Sequence, residues 1–190
     1  KAVLGEYHKN AANPGLKIEE AILATAFKKH PYQHTTLGFY EDIQAMPSRY
    51  EYSKKFLSRW YTPDNVMLFI VGDFDDAALM PQIEKHYAGW AGKAASLEVP
   101  QEPPQDAPRS VTVTWTNPTL PRHALFWRTP AASLKGHDAA VAHVLSSYLA
   151  GPTSPLYKSL VLDKQLVERL GGDYGDHRDP SLFGISASLK

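Results

Sequence analysis

The sequence predicts a mixed α/β chain of the α+β class, and three features of its 190 residues carry that prediction. Apolar residues recur at helical spacing in the first half, period-two alternation marks the second half, and a proline-rich stretch separates them. With 43% hydrophobic residues the chain can bury a core as one domain or as two small ones, which argues against disorder.

Pro14-Gly15 makes a turn, after which Ile18, Ile22, Leu23, Ala26 and Phe27 predict a helix over residues 16–29, stopped by Pro31. A short segment follows near Leu37 to Ala45. From Pro47 onward Tyr52, Phe56 and Trp60 mark one face of a further helix that ends before Pro63. Val66 to Val71 is a continuous apolar run closed by Gly72-Asp73, the composition of a strand buried on both faces. Asp75 or Asp76 can then cap a helix through Leu79, Ile83 and Tyr87.

Periodicity vanishes near Lys93, and Pro100, Pro103, Pro104 and Pro108 deny regular hydrogen bonding, so residues 96–108 read as a linker between halves 1–95 and 109–190. Beyond it Val111, Val113 and Trp115 alternate with polar neighbours as in a half-buried strand, and Ala124 to Thr129 is a plausible partner. Val141, Val144, Leu145, Tyr148 and Leu149 define a helix closed by Gly151-Pro152. Ser154-Pro155 supplies an N-cap and a first-turn proline for a short helix through Leu160. Gln165–Leu170 and Leu182–Leu189 complete the set as strands, with Phe183, Ile185, Ala187 and Leu189 on one face.

Composition excludes several functions. Lysine plus arginine equals aspartate plus glutamate at twenty each, so no field favouring nucleic acid or anionic lipid is expected. No cysteine is present, which removes disulfides, thiolate metal centres and cysteine nucleophiles and leaves His, Asp and Glu as metal ligands. No apolar run approaches the ~18 residues of a membrane span, and the start lacks a signal-peptide pattern. Because the chain begins without methionine and ends inside an alternating pattern, it reads as a segment of something longer.

The histidines do not assemble a site by spacing. His30 and His34 stand four apart, but Pro31 holds His30 out of helical dihedrals, so the pair reads as turn chemistry. His137 and His143 are six apart and diverge by roughly 120° on an ideal helix. Asp173, Asp176, His177, Arg178 and Asp179 around Gly171, Gly172 and Gly175 read as a solvated polar turn. Ser146-Ser147 lies in an apolar helical face without a nucleophile-elbow pattern.

The order of segments carries more. Ala24-Thr25-Ala26-Phe27, His30-Pro31-Tyr32, Leu37-Gly38, Asp42-Ile43, Phe56, Tyr61-Thr62-Pro63-Asp64-Asn65 and Val71-Gly72-Asp73 occur in a sequence that resembles the pitrilysin/insulinase family of inverted-motif zinc peptidases. The second half resembles the start of that family's following, non-catalytic domain, with Leu149-Ala150-Gly151 ending a helix before Ser154-Pro155-Leu156-Tyr157 and Leu160. The resemblance implies a pitrilysin-like fold, an antiparallel or mixed sheet with helices packed on one face. Residues 1–95 would be the later half of one such domain and residues 109–190 the earlier half of its neighbour. The two halves are expected to pack as a permuted single domain, with separate halves or an exchanged homodimer as alternatives.

In that family H-x-x-E-H on a helix supplies two zinc-binding histidines and a general base, and a glutamate from a downstream helix supplies the third ligand. Glu6, in Val3-Leu4-Gly5-Glu6-Tyr7-His8-Lys9-Asn10, resembles that third ligand. H-x-x-E-H itself occurs nowhere in the chain. The resemblance therefore implies zinc in the intact protein, no metal held by these residues alone, and no catalytic residue among them. Ala142 to Ser147 can be laid over the family's zinc helix, with Ser146 and Ser147 where the acid and second histidine would stand.

The function implied is that of a segment of a zinc metalloendopeptidase that hydrolyses peptides between two related domains. Its partners are a peptide or protein substrate and a second family domain or subunit, with no nucleic acid and no membrane span. The alternative is a non-catalytic member that binds substrate or serves assembly. Cysteine-free composition fits periplasm and cytoplasm alike; resemblance to exported bacterial members implies the periplasm, with the cytoplasm as alternative.

Overall fold

A computed structural model describes residues 1–133 and 135–190. The chain divides into two compact units, Lys1–Val113 and Thr114–Lys190. Among the described residues no helix is long and apolar enough to cross a membrane.

The first unit is helical. It opens with α1 (Ala2–Ala11), a helix absent from the sequence-based expectation. Next comes α2 (Pro14–Ala26), started by Asn13, whose Oδ1 accepts from Gly15 N at 2.8 Å, and by Pro14 at the first helical position. The expected helix ran to residue 29, but α2 stops at Ala26 for a long-range reason. The backbone N–H groups of Lys28, Lys29 and His30 all donate to the Glu102 carboxylate, at 2.6–3.0 Å. The Arg109 guanidinium meanwhile donates to the carbonyls of Thr25 and Ala26. With both sets of groups so engaged, a further helical turn has no bonds to make. Phe27, only 1% exposed, anchors the bend, and Leu16 and Ile43 are the unit's other buried apolar side chains.

The short segment near Leu37–Ala45 becomes α3 (Tyr40–Ala45), α4 covers Tyr50–Trp60, and α5 (Asp76–Tyr87) is capped by Asp75, which accepts from Ala77 N. Thr62, 2% exposed, donates its hydroxyl to Asp64, and Asp64 in turn accepts from Ala94 N, tying the end of α4 to the segment after α5. Gly92 lies at φ +141°, where a Cβ would meet Thr62 Cγ2 at 3.0 Å, so only glycine fits this tie.

One expectation fails here. Val66–Val71 forms no strand: it is exposed throughout, Val71 to 96%, and no described residues offer it a neighbouring ladder. A buried strand needs both a hydrogen-bonded partner and two covering layers, and the first unit contains no strand among its described residues.

The second unit is an antiparallel three-stranded sheet in the order β1-β3-β2, formed by β1 (Arg122–Arg128), β2 (Val167–Tyr174) and β3 (Leu182–Leu189). The central strand β3 is the one the alternation predicted, and its pairing sets Trp127 opposite Phe183, rings 6.1 Å apart. Of the expected pair, Ala124–Thr129 becomes β1 and pairs with β3 instead, and the alternating segment at Val111–Trp115 forms no strand. Strand β2 runs four residues past the expected Leu170: Gly171, Gly172, Asp173 and Tyr174, read as part of a turn, pair with Ser186, Ile185, Gly184 and Phe183.

Helix α6 (Asp138–Ala150) packs on β2 and β3, and α7 (Pro155–Tyr157), capped by Ser154 Oγ on Tyr157 N at 3.0 Å, continues into a π-helical turn over Lys158–Asp163. The face of α6 turned to the sheet is not the large apolar one. Ala142 and Ala150 are buried, whereas Val141, Val144, Leu145 and Tyr148 are exposed. Small residues win because α6 lies so close to β2 that a Cβ on Gly172 would meet Ser146 Oγ at 2.4 Å and Ser146 Cα at 2.9 Å.

Candidate functional site

Glu6 sits on α1, and that helix has one side against its neighbours. Leu4, Tyr7 and Ala11 are half-buried, a stripe at helical spacing, while Val3, Glu6 and Asn10 are exposed. At ~100° per residue, Glu6 stands about 130° round the axis from the centre of the packed stripe. Its carboxylate has no hydrogen bond or ion pair with the described residues. A carboxylate held on a helix, exposed and unpaired, is chemically able to serve as one oxygen donor to a zinc ion.

The packed side of α1 is held by Tyr7. Its hydroxyl donates to Glu20 Oε1 on α2 at 3.1 Å, and its ring lies 5.0 Å from that of Tyr40 on α3, tilted by 36°. His8 approaches the same Tyr40 ring edge-on at 6.0 Å. Partial burial, then the bond to Glu20 and the negative charges of Glu20 and Glu41, push the Tyr7 hydroxyl above its ordinary pKa, so it stays a donor. Sequence reading missed this cluster, although the spacing of Leu4, Tyr7 and Ala11 was its signal.

Zinc catalysis needs three protein ligands and an open position. Among the described residues no three His, Asp or Glu side chains converge on one point. The donor set fits zinc only as one member of a cage completed by other residues.

His30 and His34 do the turn chemistry expected of them. His30 Nδ1 accepts from Tyr32 N, capping a single 3₁₀ turn at Pro31–Gln33, and His34 Nδ1 contacts the Thr35 carbonyl at 2.9 Å. In the second unit His143 is exposed on α6, where its Nε2 lies 3.1 Å from Asp176 Oδ1 and its ring meets Tyr174 edge-on at 5.0 Å. Burial, then the charges of Asp176 and Asp138, raise the Tyr174 pKa. Ser146, half-buried on α6, is the residue that a Cβ on Gly172 would meet.

Residues 49–190 match the family described as the peptidase M16 inactive domain. The zinc protease PqqE of Helicobacter pylori (strain ATCC 700392 / 26695) is 31% identical over 163 residues, covering 84% of this chain and 36% of that protein. The crystal structure of a protease from Helicobacter pylori matches the whole chain with a TM-score of 0.83 at 27% identity, over 46% of its own length. The peptidase M16 inactive domain from Pseudomonas fluorescens shares the fold, with a TM-score of 0.70 at 18% identity over 45% of its length. This chain thus spans between about a third and a half of the proteins it matches. Since the family match covers most of the residues and the ordered motifs agree with it, the chain belongs to the M16, pitrilysin-type peptidase family.

Proposed function

We propose that these residues are a non-catalytic segment of a zinc-dependent endopeptidase that cleaves peptides between two related domains. In this reading Glu6 contributes one zinc ligand, and the second unit belongs to the inactive domain that closes over the substrate. The observation that carries it is Glu6 itself: exposed and unpaired on the side of α1 away from its packing, in a chain 31% identical to a zinc protease. When bound, zinc would polarise the scissile carbonyl and activate water. This chain's own residues hold one donor and part of the wall, and the histidines and general base must come from elsewhere in the protein.

The test is metal analysis and peptide cleavage by the full-length product, with Glu6→Gln beside it. Stoichiometric zinc and cleavage in the parent, with zinc affinity lost in Glu6→Gln, support the reading. A full-length product that lacks H-x-x-E-H and binds no zinc sinks it. The match to an inactive domain favours one second reading, a substrate-binding or assembly subunit that keeps the clamp without the metal. That reading predicts peptide binding without hydrolysis.

A further inference from the structure

We infer that Tyr7 is a positioning residue for Glu6: through Glu20 and Tyr40 it fixes the pose of the helix from which Glu6 reaches a metal. The inference rests on the proposed role of Glu6 as zinc ligand and adds the device that aims it.

Helix α1 is ten residues long, and none of its residues is fully buried. A helix of that length is marginal on its own, so its pose depends on a few tertiary contacts. Tyr7 sits in the middle of the packed stripe and makes two of them in different directions. The hydroxyl bond reaches α2 thirteen residues on, and the ring contact reaches Tyr40 on α3. A bond to one helix and a stack on another restrain rotation of α1 as well as its translation.

Glu6 is the adjacent residue, and within a helix its Cα cannot move independently of the Cα of Tyr7. Metal ligands must hold their distances within about 0.2 Å, and productive sites tolerate displacements of only about 0.5 Å. Loss of the Tyr7 anchor would therefore be felt at the metal before it was felt in the core, where Leu16, Phe27 and Ile43 do not include any residue of α1. The hydroxyl is suited to the task because a phenol O–H is a donor and the Glu20 side chain offers it a carboxyl oxygen at 3.1 Å. His8 adds a second, edge-on contact to Tyr40, so the ring of Tyr40 is clasped from two successive residues of α1.

The experiment measures zinc affinity of the full-length protein by chelator competition, and the visible spectrum of its cobalt(II) form. Wild type is compared with Glu6→Gln, Tyr7→Ala, Tyr7→Phe, Glu20→Ala and the double variant Tyr7→Phe/Glu20→Ala. Tyr7→Ala should weaken zinc binding by about 10- to 100-fold, the range for residues that orient ligands, and should shift the cobalt bands with far-ultraviolet dichroism unchanged. Tyr7→Phe, which keeps the ring against Tyr40, should recover part of the loss. Tyr7→Phe and Glu20→Ala should cost the same, and the double variant no more than either, because they remove one bond.

If Glu6→Gln leaves zinc affinity unchanged, the ligand reading itself falls. If Glu6→Gln weakens binding while Tyr7→Ala does not, only the positioning inference is overturned. Should Tyr7→Ala fail to fold, the cycle between Tyr7→Phe and Glu20→Ala decides: additive losses, or none, overturn the inference, and equal non-additive losses uphold it.

Discussion

The packing of α6 on β2 can be tested with one methyl group. A Cβ added at Gly172 would lie 2.4 Å from Ser146 Oγ and 2.9 Å from both Ser146 Cα and the Ser146 carbonyl oxygen. Carbon contacts settle near 3.5–4.0 Å, so rotating the serine hydroxyl removes only the first clash. The backbone contacts remain, and α6 must lift from the sheet by roughly 0.5–1 Å, the shortfall against that optimum. Its small-residue contacts at Ala142 and Ala150 loosen with it. Overpacking of this kind costs about 1–3 kcal/mol, which in a unit of this size is a fall in Tm of roughly 4–8 °C per kcal/mol. Urea unfolding of Gly172→Ala, read by amide exchange across β3, measures the loss. The control is Gly171→Ala, whose Cβ would meet nothing within 4 Å and should be near neutral. Adding Ser146→Gly to Gly172→Ala should restore only the part due to the hydroxyl. A Gly172→Ala variant within about 0.5 kcal/mol of wild type, the range of ordinary surface changes, would refute the close approach of α6 to β2.

Three other outcomes are expected. Glu102→Ala removes the acceptor of three successive backbone N–H groups and should cost on the order of 1–2 kcal/mol, with faster amide exchange at Lys28, Lys29 and His30; unchanged exchange there would contradict the clasp. The Thr62 hydroxyl first, then the Ala94 amide, hold the Asp64 carboxyl below its ordinary value. The stability of that tie is therefore complete above the usual carboxylate range near ~3.9 and is lost as pH falls through the lower folded value. The pH dependence of the Ala94 amide shift checks it, and a midpoint at or above the ordinary value would count against it. Phe69→Ser, at a side chain 77% exposed, should leave unfolding free energy within about 0.5 kcal/mol and reduce self-association on sedimentation; a loss well beyond that would mean the side chain is packed.

The legibility of this chain varied with how local each cause was. Asp75 and Ser154-Pro155 start their helices in the structure as the side chains suggested, because a cap bonds within three residues of itself, whereas Pro14-Gly15, read as a turn, forms the first residues of α2 behind the Asn13 cap. The alternation of β3 was equally readable, since one face of that strand meets a core. Strand signals at Val66–Val71 and Val111–Trp115 were read correctly as β-prone composition and wrongly as strands, because a strand is a property of two segments. For α6 the periodicity revealed a helix, but the buried side was misread. Apolar volume pointed to Val141, Val144, Leu145 and Tyr148, and close approach to Gly172 selected Ala142 and Ala150 instead.

The candidate site divides in the same way. That Glu6 resembles a zinc ligand, and that no H-x-x-E-H accompanies it, are statements about the order of residues and needed nothing else. Which side of α1 is packed, and that Tyr7 bonds to Glu20 while stacking on Tyr40, appeared only with the fold. What the sequence determined by itself was the family, the α+β class, the absence of a complete catalytic motif, and the caps, all set by neighbours a few residues away. What tertiary structure alone decided was where α2 stops, through Glu102 and Arg109 more than seventy residues on, and which faces and strands find partners. The reason is physical: backbone donors and apolar surfaces are satisfied by whatever comes within reach in space, and separation along the chain does not encode that reach.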